Sequence, residues 1–310
     1  MNDFLQKLKG VVLKGDRVNY RDRRGHYASG NLTCLRDQYW SWKGEPETNQ
    51  ADFKGNMKMG MGNAVEAYIV QNVLRNMSFV GYHFRATQVA VGQSNPNWDG
   101  YLDALMYKQD GDSWTPFVIE IKTKSGYGAD LFSRCPEPSA EYMTQIGLYL
   151  KNMSDRGICN EGKFLYVLLS DSTFGDIVTV DVKYDPSSMT ARASTWQNTN
   201  GTSGTVNVSV DLKVALERWV KLNEFIARNE VPPGEYQYKY PLTWETVKDI
   251  PDAKLKKIIE GAIVWGDWNP LYSRYKNKAL AADGLTPERT EEELKVATLE
   301  YRKRHPRTKL

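Results

Sequence analysis

The sequence is poor in the features that would announce several common protein classes. It has three cysteines, Cys34, Cys135 and Cys159, scattered and without a CxxC pair. That spacing excludes a disulfide framework and a four-thiolate metal site, and three reduced, packed thiols are expected. Its three histidines, His26, His83 and His305, show no ligand spacing. No run of eighteen apolar residues occurs, so no membrane-spanning helix is expected. The first ten residues lack an apolar segment followed by a small-residue cleavage site. No secretory signal is therefore expected, and a cytoplasmic location is. No GxGxxG or Walker-type loop is present, which argues against a nucleotide-binding α/β fold.

Charge of one sign is also nearly absent. Forty-one Lys and Arg face thirty-eight Asp and Glu, for a net +3. The molecule as a whole does not read as a polyanion binder, but its ends are basic. Lys7, Lys9, Lys14, Arg17, Arg21, Arg23 and Arg24 cluster at the start, and Arg302, Lys303, Arg304, Arg307 and Lys309 at the end. Such arms suit phosphate contacts, and solvated termini suit them equally.

Along the chain, apolar spacing predicts a helix over Asn31 to Trp42, a polar loop over 44–58, and a helix over Met59 to Met77. The helix stripe is Val65, Ile69, Val73 and Leu74. Phe79 to Val91 reads as a strand or strand pair, followed by a turn cluster over Gly92 to Asn97. Tyr101 to Tyr107 and Phe117 to Thr123 then read as two strands of a hairpin joined through Asp110-Gly111. A helix is expected over Ser139 to Met153, strands over Phe164 to Ser170 and Ile177 to Val182, and a polar hairpin over Thr190 to Val210. A strongly amphipathic helix follows over Asp211 to Asn229, and the chain reads as helical again from Trp244. The expected architecture is α/β, a mixed sheet flanked by helices. Its expected divisions are a basic arm and helix over 1–58, a core over 59–185, and a hairpin with a C-terminal helical region packing on the core over 186–310.

The candidate chemistry lies in Gly100-Tyr-Leu-Asp103 and Glu120-Ile-Lys122. Side chains two apart on a strand share a face, so Glu120 and Lys122 point together while Ile119 and Ile121 point away. Charges on so apolar a strand are costly to bury unless something pairs with them. A hairpin brings Asp103 near Glu120, and two close carboxylates attract a cation. Oxygen ligation selects a hard ion, Mg²⁺ or Mn²⁺. Such an ion suits phosphodiester hydrolysis, with Lys122 orienting water or stabilising the phosphate. Asp99 competes with Asp103, but Asn97-Trp-Asp99-Gly100 reads as a turn. Glu66 adds a third carboxylate from the first long helix. Gln145 and Tyr149, four apart, share a side of a second helix. Gln145 would bond a metal-bound water or a phosphate oxygen, and Tyr149 would support Lys122 or touch DNA. Arg36, Tyr39 and Lys124 are candidate DNA contacts; a helix packed on the core is the plain alternative for the first two.

The run Gly62-x-x-x-Glu66, Gly100-x-x-Asp103, Glu120-x-Lys122, Gln145-x-x-x-Tyr149 resembles the PD-(D/E)XK nuclease superfamily. It is most similar to the RecB-like exonuclease branch, which includes phage exonucleases, over roughly residues 30 to 185. The resemblance implies a restriction-endonuclease-like core with helical N- and C-terminal additions. It implies Mg²⁺ at Glu66, Asp103 and Glu120, with the Ile121 carbonyl as a further ligand, Lys122 as catalytic lysine and Gln145 and Tyr149 in support. Many members hold an iron–sulfur cluster through one early and three late cysteines. Cys34 resembles the early one, but Trp265 to Tyr272 contains no cysteine, so no cluster is expected. Packing of Trp265, Trp268 and Tyr272 would close the fold instead. The implied activity is a DNA exonuclease or end-processing nuclease leaving 5′-phosphate ends. Alternatives are a structure- or sequence-selective endonuclease, or a DNA-binding module with an inactive site. A helicase, single-strand-binding or recombination protein is a conceivable partner, since no helicase motif is present. A phage-encoded enzyme would act in the host cytoplasm.

Overall fold

The computed structural model describes residues 25–49, 51, 53–170, 173–236, 273–283, 296 and 303. The N-terminal basic cluster, the C-terminal one except Lys303, and the segment Trp265 to Tyr272 lie outside the described residues, as does most of the chain beyond Trp244. The described residues gather into two compact units, one of those within 25–33 and 53–227, the other of those within 34–51 and 228–303.

The first unit is built on a mixed eight-stranded sheet. Its strands are β1 (His26–Tyr27), β2 (Tyr82–Ser94), β3 (Asn97–Asp110), β4 (Ser113–Ser125), β5 (Glu161–Ser170), β6 (Thr173–Asp185), β7 (Thr190–Asn198) and β8 (Ser203–Asp211). They lie in the order β1-β3-β4-β5-β6-β7-β8, with β2 also on β3. The β1–β3 and β4–β5 pairs are parallel and the rest antiparallel. The expected hairpin is present, with Asp110 opposite Ser113. Its two-residue turn places Gly111 at φ +59°, where glycine carries no Cβ penalty. The polar hairpin over 190–210 continues the same sheet as β7 and β8.

Strand alternation sorts the sheet's two faces. Ala104, Met106, Ile119, Ile121, Leu165 and Val167 form one core with Val65, Ile69, Val70 and Leu74. These last four come from the helix α2 (Phe53–Tyr68) and the turns after it; the preceding helix, α1 (Leu35–Lys43), belongs to the second unit. The expected single helix over Met59 to Met77 differs in the structure. α2 begins earlier, at Phe53, gives way to a π turn over Ile69–Val73, and ends in a 3₁₀ segment over Leu74–Val80. The wide π turn brings Ile69 and Val70 together onto the sheet. The first half of α2 is almost unburied, and Met57, Met59 and Met61 are about half exposed. Gly60 and Gly62 cost such a helix on the order of 1 kcal/mol each against alanine.

Two helices reach the other face after β4. α3 (Tyr127–Arg134), which the sequence pattern did not reveal, buries Ala129 and Phe132. α4 (Ala140–Asp155) starts at Ser139, whose hydroxyl accepts the Tyr142 N–H as an N-cap. Gly147 lets α4 approach closely: a Cβ there would lie 2.9 Å from both Ala191 and Leu212. α5 (Leu212–Arg228) completes the unit and buries Leu212, Ala215, Trp219 and Leu222. Trp219 stacks between His26 and Trp98, with ring centroids 5.6 and 5.9 Å away.

The second unit contains α1 (Leu35–Lys43) and α6 (Lys276–Ala282). Asp37 accepts hydrogen bonds from Tyr236 and Ser273. Arg36 pairs with Asp283 at 2.7 Å and donates to Pro232 O and Ala279 O. No helix of the described residues is long and apolar enough to cross a membrane.

His26 supplies a stability test. Its Nε2 lies 2.7 Å from Asn223 Oδ1, and burial holds the imidazole below its ordinary 6.5 against the raising effect of that bond. The unfolded chain therefore takes up this proton first, so stability is lost as pH falls through 6.5. Urea denaturation at pH 7.5 and 5.5 should show a smaller acid loss for His26→Gln than for the wild type. The difference is bounded at about 1.4 kcal/mol per pH unit.

Candidate active site

The β3–β4 ladder runs from the hairpin turn to Ala104 opposite Ile119, and there its register ends. Beyond that pair β3 continues along β2, while β4 continues along β5 as Glu120 opposite Phe164 and Lys122 opposite Tyr166. The strands part like a fork. The first residue past the last pair is Asp103 on one strand and Glu120 on the other.

Asp103 holds the fork at its base. Its Oδ2 accepts the backbone N–H of Ile121 at 2.7 Å, where a ladder carbonyl would otherwise stand. The backbone carbonyl of Asp103 accepts the Thr87 hydroxyl at 2.7 Å. Glu120 is fully buried; its Oε1 accepts the Lys122 ammonium at 2.7 Å. Its Oε2 is buried with no hydrogen-bond partner among the described residues. An unpartnered carboxylate oxygen is expensive, which makes this atom the clearest opening for a cation.

α4 closes the fork from the far side. Gln145 Oε1 accepts from Lys122 Nζ at 3.0 Å, and Gln145 Nε2 donates to the Tyr149 hydroxyl at 3.0 Å. Tyr149 also hydrogen-bonds the Tyr101 backbone. The glycine at 100 is required by this ring: a Cβ there would lie 2.5 Å from Tyr149 Cε1. A continuous chain thus runs from Tyr149 through Gln145 and Lys122 to Glu120.

The electrostatics follow from burial. Desolvation, then the charges of Glu120 and Glu66, push the Asp103 carboxyl well above the usual range. Glu120 is raised by desolvation, against the pull of Lys122. Burial alone would lower Lys122, but the Glu120 charge and hydrogen bond outweigh it and hold the ammonium charged. Glu66 is raised by desolvation and opposed by Lys122 and by its bond to Gln88. Glu66 therefore belongs to the same electrostatic cluster, and it lines a cavity of about 450 Å³ with Ile121, Lys122, Tyr142, Met59 and Met61.

The donor set fits a hard divalent ion in chemistry: carboxylate oxygens, one of them unsatisfied, on an otherwise apolar strand. Among the described residues no three His, Cys, Asp or Glu side chains stand as a ready-made cage. The centre is a close pair, Asp103 and Glu120, with Glu66 nearby and Lys122 inside the set. Asp99 lies on β3 opposite Gly92, away from the fork.

The candidate DNA contacts divide. Lys124 lies on the same strand face as Lys122, its Nζ 5.3 Å from the Tyr142 ring and 5.7 Å from that of Phe132. Arg36 and Tyr39 are buried in the second unit, the guanidinium taken up by Asp283 and two carbonyls. The structure assigns both to that unit's interior rather than to a surface. Cys34 is buried just before α1.

Two residues near the site carried no sequence signal. Tyr142, one turn before Gln145, has the Lys122 ammonium 4.7 Å from its ring centre. Gln88 sits at φ +51° within β2, between the pairs Thr87–Ala104 and Val89–Leu102, and so across from Asp103. Its Nε2 donates to Glu66 Oε1 at 3.1 Å. A left-handed non-glycine residue costs on the order of 1–3 kcal/mol and persists where its surroundings impose it. Gln88→Gly should relieve that cost, raising stability by about 1 kcal/mol in urea denaturation while releasing Glu66. A loss of stability would show that Gln88 is unstrained.

No protein-family model matches the sequence, and no curated protein does. Among solved structures, the chain is similar to the crystal structure of SSO0001 at 13% identity and a TM-score of 0.39, covering 76% of this chain and 90% of that one. It is similar to an alkaline exonuclease (LHK-Exo) from Laribacter hongkongensis at 15% identity and 0.37, covering 67% and 88%. The complex of LHK-Exo with dAMP aligns at 16% identity and 0.35, covering 66% and 87%.

Proposed function

We propose that this chain is a metal-dependent deoxyribonuclease of the PD-(D/E)XK type, acting from DNA ends. The reading rests on the site's own geometry. The observation that carries it is the fork, where Asp103 and Glu120 meet beside Lys122 and Glu120 Oε2 has no hydrogen-bond partner among the described residues.

Asp103, Glu120 and Glu66, with the Ile121 carbonyl, would hold the ion, Mg²⁺ or Mn²⁺. When bound, such an ion supplies a lowered water pKa and charge neutralisation at the phosphate. The residues of the chain do the rest. Lys122 keeps its proton beside Glu120 and presents it to a non-bridging phosphate oxygen. Gln145 fixes the direction of that ammonium, and Tyr149 fixes Gln145. Water oxygen attacks phosphorus and gives up a proton to bulk water, the bond to the 3′ oxygen of the leaving nucleotide breaks, and that oxygen takes a proton from bulk water. One product end carries a 5′-phosphate and the other a 3′-hydroxyl. The RecB-like branch is the finer assignment, carried by the order Glu66, Asp103, Glu120-x-Lys122 and Gln145-x-x-x-Tyr149.

End-labelled linear DNA and covalently closed circles should be incubated with Mg²⁺, Mn²⁺ or chelator. The linear DNA should be degraded with either ion and spared in chelator, and the circle spared throughout. Lys122→Ala should lower the rate at least about a hundredfold. Cutting of the circle would convert the reading to an endonuclease. Unchanged activity in Asp103→Ala and Glu120→Ala would remove the site assignment.

A further inference from the structure

The first half of α2 is an odd helix. From Phe53 to Val65 it carries Lys54 and Lys58, no acid, and the methionines Met57, Met59 and Met61. The methionines are 50%, 43% and 51% exposed, although apolar side chains of this size usually find cover. Gly60 and Gly62 weaken the helix, and neither is needed to make room inside the chain: a Cβ at either would meet nothing within 4 Å.

The same segment borders the site. Met59, Gly62 and Glu66 recur at three- and four-residue spacing and so share one side of α2. Lys58, Met59, Met61 and Gly62 line the 450 Å³ cavity that also reaches Glu66 and Lys122. The opening therefore has a basic and apolar wall on one side and the hydrolytic cluster on the other.

We propose that this half of α2 is the seat of an unpaired nucleic-acid strand entering the site. The inference rests on the nuclease reading and names its substrate class. A polyanion answers to Lys54 and Lys58 with no acid between them. Unpaired bases answer to the methionines, because base faces are hidden in a duplex and offered by a single strand. Methionine is polarisable and unbranched, and it adapts to any base plane without reading sequence. The missing side chains at Gly60 and Gly62 let the strand lie against the helix backbone. Flexible thioethers beside the lysines thus take the part that aromatic platforms play in other single-strand grooves.

The test measures binding rather than cleavage. Full-length protein in chelator is titrated into a fluorescent oligothymidine or a blunt duplex of equal length, and anisotropy is read. Met59→Ser with Met61→Ser should weaken the oligothymidine on the order of tenfold. Met59→Leu with Met61→Leu should retain it. Gly60→Ala with Gly62→Ala should weaken it while raising the melting temperature, a combination that a merely structural role for the glycines would not give. Lys58→Ala should flatten the salt dependence by about 0.7 in log–log slope. The duplex should bind more weakly and ignore the methionine changes. Wild-type affinity in the folded serine variant overturns the proposal. So does a duplex held as tightly through the same methionines. A wild-type dimer that the serine changes convert to monomer, with oligothymidine affinity intact, would make a second copy the occupant and overturn it too. If the oligothymidine is held through the methionines but wild type with Mg²⁺ cleaves nothing, the seat stands and the nuclease reading falls. Cleavage with indifferent methionines has the opposite meaning.

Discussion

The ladder between β3 and β4 stops at Ala104 and Ile119, and a carboxylate follows immediately on each strand. Everything else at the site adapts to that parting. Paired strands would bury their backbones against each other and leave no room between them. Parted strands leave amides to satisfy, and Asp103 takes one of them, the Ile121 N–H. Tyr149 packs on β3 at Gly100, beyond the parting, and fits only because residue 100 has no side chain. One interruption in the backbone pairing accounts for the Gly100-x-x-Asp103 spacing, the burial of Glu120 and the place of Gln145 and Tyr149.

The fork is electrostatically unbalanced. Asp103 and Glu120 are nearly without water; the Glu120 charge raises the cost of ionising Asp103, and the Glu66 charge raises that of both. Lys122 offsets part of this through one oxygen of Glu120 and is itself steadied by Gln145. The second oxygen of Glu120 has no partner among the described residues. A divalent ion would relieve both the repulsion and that oxygen, and would leave the ammonium free to face an anion. Single substitutions in this set should not behave additively, because each group's charge depends on the others.

The strands and their charges were legible from alternation. Glu120 and Lys122 stand out because every other residue from Phe117 to Ile121 is apolar, and Asp103 stands out in the same way within Leu102–Met106. The hairpin turn was legible because local chemistry sets it, and the helix beginning near Ser139 because its apolar spacing repeats. The parting of β3 from β4 was not, since it depends on what β5 and β1 offer beyond each strand. Gln88 was hidden because glutamine gives no local sign of a left-handed backbone. α3 has only eight residues and two buried positions, too few for a period. The start of α2, Phe53 to Lys58, was read as part of a polar loop because it is mostly polar and carries Gly55, which argues against helix. Arg36 looked like a phosphate contact by residue type, and only tertiary structure reveals Asp283 beside it.

The central claim is that the fork between Asp103 and Glu120 holds a divalent cation. Calorimetric titration of the full-length protein with Mn²⁺, without any nucleic acid, tests it directly. The account predicts saturable binding that Asp103→Asn weakens at least about tenfold in a protein that remains folded, since removing one hard-ion ligand removes a charge the ion depends on. Binding of equal strength in wild type and Asp103→Asn, or none in either, would contradict it.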